Sequence, residues 1–126
     1  MRRVFIPDGC DIEPHEKEAA EILAGHFSCL IEFLVPSNAY KVRTPDIVMN
    51  GRMWEIKSPT SDSNHTIEKQ FKLSAGQSHN LVIDGRRSGR KDELLIKDIK
   101  RELKLHKAKR RVLFITKDAK VLDITG

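Results

Sequence analysis

The chain has 126 residues and 39% hydrophobic content, enough for one modest core, so we expect a single domain over residues 1–126. Its two cysteines, Cys10 and Cys29, have no CxxC spacing, which excludes a zinc ribbon or a disulfide framework. No apolar run approaches the roughly 20 residues a membrane span needs, and Met1-Arg2-Arg3 opens no signal-peptide core, so the chain is expected to act in an aqueous compartment. Twenty-three Lys and Arg against 18 Asp and Glu leave a formal charge of +5, which suits a polyanionic partner without identifying one.

In chain order, a first helix is predicted from Pro14 to His26, with proline early, Gly25 near the end and an apolar face of Ala19, Ile22 and Leu23. Cys29 to Val35 reads as a buried strand closed by Pro36-Ser37-Asn38. Asp46 to Lys57 reads as a hairpin, because β-type residues flank Asn50-Gly51, the pair that most favours a two-residue turn. Ser58 to Asn64 is a loop by composition. Its end can cap a helix from Thr66 to Ser78 that buries Ile67 and Phe71, with Leu73 and Ala75 beside them. Leu81-Val82-Ile83 is wholly apolar, as in a central or parallel strand, and Asp84-Gly85 ends it. A third helix is expected from Asp92 to Lys107, with Leu95, Ile96, Ile99 and Leu103 on one stripe, then strands Val112 to Thr116 and Val121 to Ile124. The resulting order, αβββαβ then αββ, is an α/β (α+β) arrangement.

The hairpin carries the chemistry. With a two-residue turn, Met49 faces Arg52, Val48 faces Met53 and Asp46 faces Glu55. Alternation puts Ile47, Met49, Trp54 and Ile56 on a core face and Asp46, Val48, Met53, Glu55 and Lys57 on the other; a bulge would change this register. Two opposed carboxylates with Cβ atoms about 5 Å apart repel unless a cation lies between them. Hard oxygen ligands suit Mg²⁺ or Mn²⁺, so Asp46 and Glu55 are the candidate metal ligands. Lys57 is placed to orient a water or to stabilise charge on a reacting phosphate. The pattern describes phosphodiester hydrolysis.

The residues Pro45-Asp46, eight intervening residues and Glu55-Ile56-Lys57 resemble the PD-(D/E)xK nuclease superfamily. The longer string from Pro45 to Pro59, with Gln77 to Asp84 and Ile115 to Asp118, resembles the C-terminal nuclease domains of contact-dependent growth-inhibition and other polymorphic toxins. The resemblance implies a restriction-endonuclease-like αβββαβ core, a mixed sheet flanked by helices, with the last helix and two strands as an extension. It also implies RNA cleavage, often of tRNA, in the cytoplasm of a target cell, and a cognate immunity protein as inhibitor. The superfamily pattern further points to an acid on the first helix, Glu18 or its competitor Glu16, and to Gln77 on the second.

His15 is a second candidate base on the first helix. Lys69, Lys72, Arg86, Arg87 and Arg90, with Lys107, Lys109, Arg110 and Arg111, are candidate phosphate contacts, and Tyr40 is an aromatic placed to stack on a base. Three alternatives stay open: a metal-independent, barnase-like ribonuclease using His15, Lys57 and Thr116; a DNase of the same superfamily; and a non-catalytic nucleic-acid-binding module. Opposed carboxylates argue against the last, since a phosphate binder gains nothing from negative charge at its centre.

Overall fold

The computed structural model describes residues 3–36, 44–73, 80–106 and 111–125. Within them the elements are β1 (Val4–Phe5), α1 (Pro14–Phe27), β2 (Ile31–Phe33), β3 (Ile47–Met49), β4 (Arg52–Lys57), α2 (Thr66–Leu73), β5 (Asn80–Asp84), α3 (Asp92–Leu105), β6 (Arg111–Ile115) and β7 (Val121–Asp123). The strands form one seven-stranded mixed sheet in sequence order. β1 runs parallel to β2, β2–β3–β4 is an antiparallel meander, β4, β5 and β6 are parallel, and β7 returns antiparallel to β6. The mixed α/β arrangement is the one expected, with β1 added.

Local chemistry accounts for most of these elements. Asn50 and Gly51 both take positive φ, 52° and 73°, so the hairpin turns on two residues whose twist matches that of the strands. α1 begins with Pro14 in its first turn, and the Glu13 N–H donates to Glu16 Oε1 at 3.3 Å. It ends at Ser28, which adopts the left-handed conformation (φ 51°), so Gly25 lies inside the last turn and not beyond it. β5 is buried and paired in parallel on both sides, which explains its unbroken apolar run.

Two cores lie on the two faces of the sheet. Ala19, Ala20 and Leu23 of α1 pack with Ile31, Phe33, Ile47, Met49, Trp54, Val82, Leu113 and Ile115 on one face. Ile67 and Phe71 of α2 and Leu95 and Ile99 of α3 pack with Leu81, Ile83, Val112 and Phe114 on the other. α1 touches β1, β2 and β7. The outer strands of a flat seven-stranded sheet would lie roughly 29 Å apart, against a helix about 21 Å long, so the sheet curves around α1.

Some boundaries differ from the expected ones. β2 is three residues long and shorter than the apolar run around it, because pairing with β3 ends at Phe33 opposite Ile47. Leu73 of α2 is exposed, two residues and so about 200° round the helix from buried Phe71, while Ala75 and the rest of the expected second helix lie outside the described residues. α3 buries Asp98 and Glu102 along with Leu95 and Ile99, against Arg90, Arg101 and His106.

Candidate active site

The hairpin register is Met49 with Arg52, Val48 with Met53 and Ile47 with Trp54, as the two-residue turn requires. It stops there. The Asp46 amide donates to the Trp54 carbonyl at 3.0 Å, and the Asp46 carboxylate accepts the Ile56 amide at 2.7 Å. A side-chain oxygen thus takes the place of a strand carbonyl, and Asp46 sits beside Trp54 to Ile56 and not in a ladder pair with Glu55. The ladder between β4 and β5 begins where that with β3 ends, at Glu55 with Leu81, then Ile56 with Val82 and Lys57 with Ile83. β4 therefore pairs with β3 along one edge up to Trp54 and with β5 along the other from Glu55.

Glu55 and Lys57 lie on the α2 and α3 face, beside Leu81 and Ile83, whereas Trp54 and Ile56 join the α1 core. Glu55 is 9% exposed, and its Oε2 is 3.9 Å from Lys57 Nζ, a loose ion pair that leaves the ammonium partly accessible. Burial raises the Asp46 carboxyl above the ordinary aspartate range, opposed by the Ile56 N–H and by the Lys57 charge. A carboxyl raised in this way binds its proton more tightly folded than unfolded. Its ionised form therefore costs stability, and the cost grows as pH rises through the interval above the unfolded aspartate value. Asp46→Asn keeps an oxygen to accept the Ile56 amide and removes the buried charge, so its melting temperature at pH 7 is expected to rise. The gain should shrink as pH falls through that interval; a melting temperature at pH 7 below the parent's would show that the charge supports the fold.

One end of the sheet gathers the remaining candidates, because β4, β5 and β6 run parallel and β3 opposes them. Asp46 immediately precedes β3, and Lys57, Asp84 and Thr116 stand at or just past the carboxyl ends of the parallel strands. In open α/β sheets this end is where crevices form. Glu18 and His15 of α1 also reach this end, but through arginine. Arg86 Nε and Nη2 donate to the two oxygens of buried Asp84 at 2.9 and 2.8 Å, Nη1 to Glu18 Oε2 at 3.0 Å, and Nη2 also to the His15 carbonyl at 3.0 Å. Arg87 Nη1 lies 3.1 Å from His15 Nε2. Asp84 alternates with Ile83 along β5, so this cluster lies on the α1 side and Lys57 on the other.

The candidate phosphate contacts divide accordingly. Arg86 and Arg90 turn inward, the latter bonding Asp98 at 2.8 Å, and both hold the fold together in this arrangement. Lys69 is exposed on α2, and Lys72 pairs with Glu68 at 3.2 Å. Glu16, the alternative acid on α1, reaches back to the Glu13 amide. Thr116 Oγ1 accepts the Lys120 amide in the β6–β7 turn. Gln77, Tyr40, Lys107, Lys109 and Arg110 lie outside the described residues, while exposed Arg111 pairs with Asp123. The residues that sequence reading missed are the Asp84–Arg86 pair and a set of hydroxyls on the 58–66 loop. An acid closing an otherwise apolar strand was the available signal for the first.

Among the solved structures, the chain is similar to a toxin and immunity complex, CdiA-CT/CdiI, from Burkholderia pseudomallei, with a TM-score of 0.68 at 18% identity over 95% of this chain and 97% of that one. At that identity the likeness is one of fold. A search of curated proteins found no match. A family model described as the contact-dependent growth inhibition CdiA C-terminal domain matches residues 43–121, which span the whole Asp46–Lys57 hairpin, the parallel strands and the start of β7. By that match, over more than half its length, the chain belongs to the CdiA C-terminal domain family of contact-dependent growth-inhibition toxins.

Proposed function

We propose that this domain is a nuclease that hydrolyses phosphodiester bonds with a divalent metal, and that its substrate is RNA, tRNA in particular. The observation that carries the reading is the grouping of Asp46, Glu55 and Lys57 where β4 passes from β3 to β5, with the Asp46 carboxylate anchored on the Ile56 amide. The donor set fits a hard cation. Burial disfavours ionised Asp46 unless a cation compensates it, and among the described residues no three of His, Cys, Asp and Glu cluster to enclose an ion. A site with two carboxylate ligands leaves the rest of the shell to water and phosphate, as Mg²⁺ or Mn²⁺ prefers.

Asp46 and Glu55 would hold the ion, which when bound polarises a phosphate and lowers the pKa of water. The Ile56 N–H orients Asp46 so that its second oxygen is left for that task. Lys57, two residues past Glu55 on the same face, stabilises the negative charge that develops on the phosphate. Trp54 and Ile56, packed into the α1 core, hold both side chains in place.

Family membership supports action as a toxin delivered into a target cell, working in its cytoplasm and restrained by a cognate immunity protein. No helix among the described residues is long and apolar enough to cross a membrane. The test is incubation of the purified domain with total tRNA and with plasmid DNA, each with Mg²⁺ or with EDTA. tRNA loss in Mg²⁺ that stops in EDTA is expected. Cleavage that survives EDTA and leaves a cyclic phosphate would move the chemistry to His15, Lys57 and Thr116, and plasmid nicking alone would make the domain a DNase.

A further inference from the structure

Directly after Lys57 the chain enters a groove of about 450 Å³ between the 58–63 loop and the first two turns of α2, lined among others by Ser58, Thr60, Thr66 and Lys69. Its described lining includes five hydroxyl side chains, one lysine and no carboxylate. The loop itself is held by local bonds: the Ser63 amide donates to Ser61 Oγ at 3.0 Å, and the His65 amide to Ser63 Oγ at 3.1 Å. Ser88 Oγ donates to the Ser61 carbonyl at 2.7 Å and ties the loop to the segment after β5.

Two lining hydroxyls are left over. Thr66 is 5% exposed, and its Oγ1, like Ser58 Oγ, is shielded from water and has no hydrogen-bond partner among the described residues. Buried hydroxyls are nearly always paired, so two unpaired ones in the wall of one groove point to an acceptor supplied from outside. Thr66 opens α2, where the helix dipole also favours an anion, and Lys69 lies one turn further on the same groove. Shielding from bulk water strengthens a hydrogen bond made there. Ser58, which also lines the groove, is half-buried.

We infer that this groove is a subsite for a backbone phosphate of the nucleic acid, one next to the scissile phosphate, held by Ser58, Thr66 and Lys69. This rests on the nuclease reading for the identity of the polyanion. The absence of lining carboxylates, the donor-only lysine and the position one residue beyond Lys57 favour a phosphodiester over a neutral ligand. Hydroxyl and lysine contacts to phosphate set register and carry no base sequence, so the groove would strengthen binding without choosing a base.

The test is fluorescence anisotropy with a labelled 12-nucleotide single-stranded oligoribonucleotide in EDTA, so that no metal or turnover enters. Ser58→Ala with Thr66→Val removes both hydroxyls at nearly constant volume and is expected to weaken binding about 10-fold or more. The melting temperature should hold or rise, since two buried unpaired groups are gone. Lys69→Ala should lower the slope of log affinity against log salt by about 0.7, whereas the hydroxyl variant leaves that slope unchanged. Equal affinity of the parent and the hydroxyl variant overturns the subsite. If that double variant fails to melt cooperatively, Ser58→Ala alone and the surface variant Lys69→Ala decide by the same readings. The two readings fail separately: parent-like binding by the variants with tRNA cleavage intact removes the groove, and oligonucleotide binding without cleavage of tRNA or DNA removes the nuclease.

Discussion

Glu55→Gln is expected to lower the rate of nucleic-acid cleavage at least about 10²-fold while the domain stays folded. The substitution keeps the shape of a side chain that is 9% exposed and removes its charge. A buried amide meets Leu81 and Lys57 as the carboxylate did, so packing changes little. What is lost is half of the proposed two-carboxylate cation site, together with the charge facing Lys57. Loss of one preorganised electrostatic group at a reacting centre ordinarily costs about 10²–10³ in turnover. Lys57→Ala should fall in the same range, and the two together should lose less than the product of their separate losses, because in the proposed mechanism both act on one phosphate. Cleavage assays on tRNA with Mg²⁺, beside melting curves, check this. Parent-level cleavage by Glu55→Gln would remove the site assigned here and favour a binding module.

The largest effect on stability is expected at Arg86. Its guanidinium makes paired bonds to Asp84, which has no solvent exposure, and the carboxylate raises the already high pKa of the arginine. Arg86→Met leaves that carboxylate buried without its partner, a change that ordinarily costs about 3–5 kcal/mol. For a domain of this size the melting temperature would fall by roughly 10–20 °C. The Glu18 contact adds little, since Glu18 is largely exposed and surface ion pairs contribute about 0–1 kcal/mol. The double variant Asp84→Leu with Arg86→Met should recover most of the loss, because an apolar pair in that place satisfies the α1-side core without desolvated charge. A single Arg86→Met within about 1 kcal/mol of the parent would mean that water reaches Asp84. The pair also bears on the end of the sheet that carries the candidate residues. Arg86 fastens the start of α1, through Glu18 and the His15 carbonyl, to the carboxyl end of β5, so the loss should loosen α1 there before the rest of the fold.

The hairpin was legible from its residues because everything that shapes it is local. Asn50-Gly51 supplies two positive φ angles, and alternation then assigns Ile47, Met49, Trp54 and Ile56 to the core. The central place of β5 and the stripe of α3 were legible for the same reason, as a period or a run within one element. Tertiary structure decided what depends on residues distant in the chain. β1 exists because Val4 finds Ile31 in parallel register, and two residues carry no periodicity by which to recognise a strand. Asp46 departs from the expected pairing with Glu55 because its side chain, and not its main chain, takes the Ile56 amide. Glu18 and Arg86 meet across 68 residues, which turns a candidate phosphate contact into a structural clamp. The sequence by itself thus determined which side chains share a strand face, since that follows from backbone geometry. Which charges meet, and which hydroxyls are left without partners in a groove, was decided only when distant segments packed and removed water from between them.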